Sequence, residues 1–199
     1  MKRLASILAL ALTLTLAGPA SAEKISLNAL SNYLNGFETA SGEFTQINAD
    51  GTISTGKVYL HRPGRARFEY NPPDNSLVMA GGGTVAIFDP KSNAGSTQYP
   101  LRQTPLSIIL QKNVNLSQAR MVVAHSTDGK TTSVVAQDPE NPEYGTIRLV
   151  FTPDPIELRQ WVITDGAGDQ TTVILGELKT GTRMQSSLFD IPREEARRN

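Results

Sequence analysis

Two histidines, His61 and His125, are the side chains of this 199-residue sequence best suited to metal ligation or proton transfer near neutral pH. Neither has a ligand-type partner at i+4, and zinc or iron would require several convergent donors. The chain has no cysteine, which excludes thiolate nucleophiles, thiolate metal sites and disulfides. No Gly-x-Ser-x-Gly segment is present, and Gly95-Ser96 reads as a turn. Asp128-Gly129-Lys130-Thr131 imitates the end of a phosphate-binding loop, yet Ala124 stands where the first glycine belongs and strand-like runs flank it. A hairpin turn is the better reading there, as it is for Gly81-Gly82-Gly83. No catalytic residue, metal site or cofactor is predicted, so the chain is expected not to be an enzyme.

The residue that stands out is Arg62, at the bend of His61-Arg62-Pro63-Gly64. In the run that follows, Arg65, Arg67 and Glu69 share one face of an extended chain, while Ala66, Phe68 and Tyr70 share the other. On the incoming strand, from Gly56 to His61, Val58 and Leu60 lie on the same face as Arg62. The segment reads as a hairpin whose apolar face ends in an arginine. From spacing alone, a surface turn residue is the simplest role for Arg62.

These residues need elements to hold them. Lys2 and Arg3 lead an apolar run from Leu4 to Ala17 that closes with Ala20-Ser21-Ala22, the pattern of a cleaved secretory signal over residues 1–22. The run is shorter than the ~20 residues a spanning helix needs. Glu23, rather than a lipidated cysteine, follows the cleavage point. Residues 23–199 are expected to form one exported domain located in the periplasm. Setting Lys2 and Arg3 aside, the 19 Lys+Arg fall to 17 against 19 Asp+Glu, a net charge near −2, which argues against nucleic acid as a partner.

Leu27, Leu30, Leu34 and Phe37 fall at helical spacing, with Asn28, Ser31, Asn32 and Asn35 between them, and predict an amphipathic helix over 25–37. Beyond Gly42, short alternating runs separated by turn residues such as Asp50-Gly51, Asp138-Pro139 and Thr180-Gly181 predict an antiparallel meander. One interruption, Thr104 to Gln111, combines a hydroxyl N-cap, Pro105 at the first helical position, and Leu106, Ile109 and Leu110 on one stripe. Two helices this small must rest on the sheet. Arg193 to Arg198 reads as a solvated tail.

Phe44-Thr45-Gln46, Gly56 to Leu60, His61-Arg62-Pro63, Phe68-Glu69-Tyr70, Pro73 to Val78, Gly83 to Pro90 and Thr104 to Leu110 follow one another in the order and spacing of a known family. The sequence resembles the LolA outer-membrane lipoprotein carriers. It departs from them at Ala66, where an aromatic is usual, at Phe68, often tryptophan, and in a short C-terminus after Pro192. The resemblance implies a mainly β fold, an incomplete, unclosed antiparallel β-barrel with short helices as a lid over an apolar cavity. It also implies a periplasmic chaperone that takes lipoproteins from an inner-membrane ATP-driven extractor and carries their acyl chains to an outer-membrane acceptor, or to the outer membrane directly. A monomer is expected.

A buried methylene is worth about 0.8 kcal/mol, so acyl chains cannot cross water bare. On the family pattern, Val58, Leu60, Ala66, Phe68 and Tyr70 would line the cavity, with Leu30, Leu34, Ile109 and Leu110 facing them from the lid. Taken singly, each could equally be plain core. Arg62 would lock the lid by hydrogen-bonding carbonyls of the lid helices. The alternative is a lipid-sensing regulatory or other lipid-binding module on the same half-barrel. An outer-membrane acceptor on that fold would need the lipidated cysteine this chain lacks.

Overall fold

Strict alternation builds the sheet. The computed structural model describes residues 23–92 and 95–198, so the leader assigned to residues 1–22 lies outside them. Helix α1 (Leu27–Asn35) precedes a continuous series of strands: β1 (Thr39–Ile47), β2 (Ile53–His61), β3 (Arg65–Tyr70), β4 (Leu77–Gly81), β5 (Thr84–Phe88) and β6 (Thr97–Pro100). A 3-10 turn (Leu101–Gln103) and helix α2 (Leu106–Ile109) interrupt them. Strands β7 (Val122–Thr127), β8 (Thr132–Gln137), β9 (Thr146–Thr152), β10 (Glu157–Thr164), β11 (Gln170–Leu175) and β12 (Lys179–Thr180) follow, and helix α3 (Ile191–Arg198) ends the fold. All pairings are antiparallel neighbour to neighbour, and the order β6-β5-β4-β3-β2-β1-β11-β10-β9-β8-β7 leaves β6 and β7 as two open edges. The sheet is one meander folded about β1 and β11 and never closed.

That topology places α2. The chain leaving edge strand β6 must reach the opposite edge, β7, and it does so over the inner face. Leu101, Leu106, Ile108, Ile109, Leu110, Val114, Leu116 and Met121 all join the apolar cluster formed by the inward residues of the sheet. Helix α1 enters the same cluster through Leu30 and Leu34. Ser26 caps its start by accepting from the Ala29 amide at 3.2 Å, and the Gly36 amide closes its end on the Tyr33 carbonyl. The helix is shorter than the expected 25–37 because Ile25 is used elsewhere. Its amide donates to Thr132 Oγ1 at 3.0 Å, and its carbonyl lies 2.9 Å from His125 Nε2.

Two other expectations change. Thr104 does not cap α2: its hydroxyl donates back to the Leu101 carbonyl of the 3-10 turn at 2.8 Å, and Pro105 takes the cap position with helical dihedrals (φ −59°, ψ −21°). Nor is 193–198 a solvated tail. Helix α3 packs Ile191 against Leu77, Met79, Ala86 and Phe88 on the outer face of β4 and β5. Its Glu194 is buried, and so is Arg67 from the face expected to be polar, with Arg67 Nη1 3.5 Å from Glu194 Oε2. The turn readings hold: Gly82 and Gly83 take positive φ (58° and 81°) between β4 and β5, and Asp128 Oδ1 accepts from the Lys130 and Thr131 amides in the β7–β8 hairpin.

Candidate functional site

The inner face is built in cross-strand rows. Ala40, Leu60, Ala66, Ala80 and Val85 are successive register partners across β1 to β5, and all five are buried in the apolar cluster. Three alanines in one row keep this end of the sheet shallow, which makes room for the side chains of two helices. Further along the strands the surface turns aromatic. Phe44 meets Phe68 edge-on at 5.7 Å between centroids and Tyr70 at 5.1 Å, and Phe68 meets Trp161 at 6.1 Å. Gly56 sits where any Cβ would fall 2.1 Å from the Glu69 carbonyl oxygen and 2.8 Å from the Phe44 ring. The Tyr70 hydroxyl donates to Gln46 Oε1 at 2.7 Å. Burial, with the Asp74 charge nearby, pushes that hydroxyl up to about 12, so it remains a proton donor.

Val58, Leu60, Ala66, Phe68, Leu30, Leu34, Ile109 and Leu110 are buried in one cluster, and Tyr70 packs at its border. The sheet and lid residues singled out from sequence therefore come together, in an interior that the lid helices themselves fill.

The lid has a latch that the sequence reading passed over. Asn35 Nδ2 donates to the Val114 carbonyl at 2.8 Å, and the Val114 amide returns a bond to Asn35 Oδ1 at 2.9 Å. The Ser31 hydroxyl accepts from the Leu116 amide at 3.0 Å while donating to the Leu27 carbonyl, and Ser117 Oγ reaches Asn28 Oδ1 at 2.8 Å. One polar stripe of α1 thus ties the helix to the segment after α2, and the two halves of the lid form a unit. The signal was legible: residues 28, 31 and 35 are spaced three and four apart, which is one helical face.

Arg62 sits where both lid helices end. Its backbone amide donates to the Glu38 carbonyl at 2.8 Å, just beyond α1, and the Gly64 amide donates at 2.8 Å to the carbonyl of Leu110, the residue that caps the end of α2. Gly64 has φ +71°, a conformation that suits glycine. Arg62 as a residue is 5% exposed, and its guanidinium lies 5.4 Å from the Phe37 ring centroid and donates from Nη2 to the Phe37 carbonyl at 2.9 Å. The expected set of lid-helix carbonyls is therefore reduced to one, because the Leu110 carbonyl is already taken by backbone. Nε and Nη1 are buried with no partner among the described residues. Burial lowers the guanidinium's affinity for its proton and the Glu38 charge partly offsets this, while a hollow of about 270 Å³ lined by Phe37, Lys112 and Asn113 lies beside it.

Residues 35–192 match the family model described as "Outer membrane lipoprotein carrier protein LolA". The chain is similar to the outer-membrane lipoprotein carrier protein of Coxiella burnetii strain CbuK_Q154, 26% identical over 186 residues that span 88% of this chain and 87% of the relative. It is 24% identical over 198 residues to the protein of that name from Azotobacter vinelandii, spanning 94% of each. A LolA superfamily protein from Nitrosomonas europaea is a structural neighbour at TM-score 0.44 and 8% identity, with 83% of this chain and 98% of that chain covered. With an unclosed sheet, a two-helix lid and a family match over most of its length, the chain belongs to the LolA family of outer-membrane lipoprotein carrier proteins, a family of carriers and not of enzymes.

Proposed function

We propose that the protein is a periplasmic carrier that shields the acyl chains of lipoproteins, receiving them from an inner-membrane ATP-driven extractor and delivering them to an outer-membrane acceptor or to the outer membrane itself. One observation carries the reading. The continuous apolar face of an unclosed sheet is covered by two short helices, one ahead of the first strand and one on the crossing from β6 to β7, so lifting them bares the interior without breaking any strand pairing. Each buried methylene is worth about 0.8 kcal/mol, so an acyl chain that replaced the lid's leucines and isoleucines would recover most of what lifting the lid loses. The leader over residues 1–22 supports export, and the family match supports the cargo class.

The test is competition between a fluorescent fatty acid and an acylated peptide for the native protein. Leu60→Glu or Phe68→Glu should weaken probe binding by at least about tenfold, since a carboxylate in an apolar site lacks partners. Normal binding by both folded variants would remove the interior from consideration as the site.

A further inference from the structure

The outer face carries a second hollow that acyl carriage does not use. It measures about 610 Å³ and lies between the 182–188 segment and α3, over the outward side of β1 to β3. Arg67, Arg183, Arg193 and Arg197 line it, together with only two carboxylates, Glu69 and Glu194. Both carboxylates are already engaged. Arg67 Nε binds Glu69 at 2.7 Å, and Glu194 is held by Arg67, Arg197 and Arg198. The side chains of Arg183 and Arg193 have no ion pair or hydrogen bond among the described residues, nor do the hydroxyls of Ser41, Tyr59 and Thr182 on the same wall. Half-buried Met184 and Leu188 complete the lining.

Two free guanidinium forks, three free hydroxyls and an apolar shoulder are the donors that a phosphate group with an attached hydrocarbon requires. We propose that this outer cleft binds a phosphate-bearing headgroup, with Arg183 and Arg193 as the principal contacts and Met184 and Leu188 against the start of the acyl region. The cleft is on the opposite face of the sheet from the lid. A carrier held there to an anionic membrane would keep its lid free to move.

The full mature chain can be tested on three probes: vesicles of phosphatidylcholine with and without phosphatidylglycerol, inorganic phosphate, and glycerol 3-phosphate. Cosedimentation should require phosphatidylglycerol and weaken with added salt. Arg183→Glu/Arg193→Glu should lower it by about tenfold or more, whereas Arg120→Glu/Lys130→Glu, the same charge change at exposed sites elsewhere, should leave it within about twofold. Amide shifts from the two soluble probes should map to residues 182–193. Shifts from those probes without vesicle binding would keep the phosphate site and assign it to a soluble ligand. Equal losses in both double variants, or no response to any probe, would overturn the proposal. Fatty-acid probe binding in the interior should be the same in all variants, so the two sites are scored separately.

Discussion

Arg62 and Asn35 meet the two helices over the sheet by different contacts, and their substitution should have distinguishable effects. Among the described residues Arg62 offers one charge-assisted bond, to the Phe37 carbonyl, and leaves two buried donors unpaired. A bond to a charged group is worth about 1.5–3 kcal/mol, partly cancelled here by desolvation of the unpaired donors, so Arg62→Leu should shift the closed–open balance by roughly tenfold. The expected result is tighter acyl retention and slower transfer to acceptor membranes; faster or unchanged transfer would contradict the lock. Asn35→Ala removes both bonds to Val114 and leaves a backbone amide and carbonyl without partners, at about 1–3 kcal/mol each if they stay dry. Amide exchange through residues 111–118 should accelerate far more than exchange in β9 or β10. Arg62 was identified from its place in the hairpin and from the family resemblance. Its single carbonyl partner was not legible, because it depends on how α1 ends: Gly36 still has helical dihedrals, and the carbonyl that reaches Arg62 is that of Phe37 just beyond it.

At the level of elements, alternation made β2 and β3 readable residue by residue, and Val58, Leu60, Ala66 and Phe68, which it set on the apolar face, are buried in one cluster. Arg67 lies on the charged face of β3 and is nonetheless buried, because period two tells which residues share a face and not what later covers it. What covers it is α3, whose sequence Arg193-Glu194-Glu195-Ala196-Arg197-Arg198 has the composition of a tail. Only Ile191, at its first position, signals the apolar docking. Burial pushes the Glu194 carboxyl up, but hydrogen bonds from Arg197 and Arg198 and the charge of Arg67 outweigh this and hold it at about 2. A carboxyl depressed in the folded state contributes stability above its unfolded value, near 4.5, and loses it as pH falls through about 2. Acidification across that window should release α3, seen as increased proteolysis after Asp190, and Glu194→Gln should flatten the response. In the sheet itself, Gly56→Ala should destabilise the fold by more than about 1 kcal/mol, measured by denaturant unfolding, since its Cβ would meet backbone at 2.1 Å.

For the whole molecule, the decisive feature is that β6 and β7 are consecutive strands at opposite edges. Their connection has to cross the inner face, which turns an ordinary loop into part of a lid. Turn chemistry and two amphipathic stretches were enough to reach an antiparallel meander with helices on one face, and the family resemblance supplied that it stays unclosed. The strand order that sends residues 101–121 across the opening depends on pairings far apart in sequence, between β1 and β11, which no local pattern records. The same arrangement leaves eleven strands paired in one continuous path that does not run through the lid helices. Acyl carriage is tested most directly by recovering the protein from the periplasm under native conditions and identifying by mass spectrometry what accompanies it. Acylated lipoproteins bound one to one, released on addition of excess fatty acid and enriched on the Arg62→Leu variant, are the expected result. Recovery with free phospholipid alone, or with no acylated species from either protein, would contradict carriage.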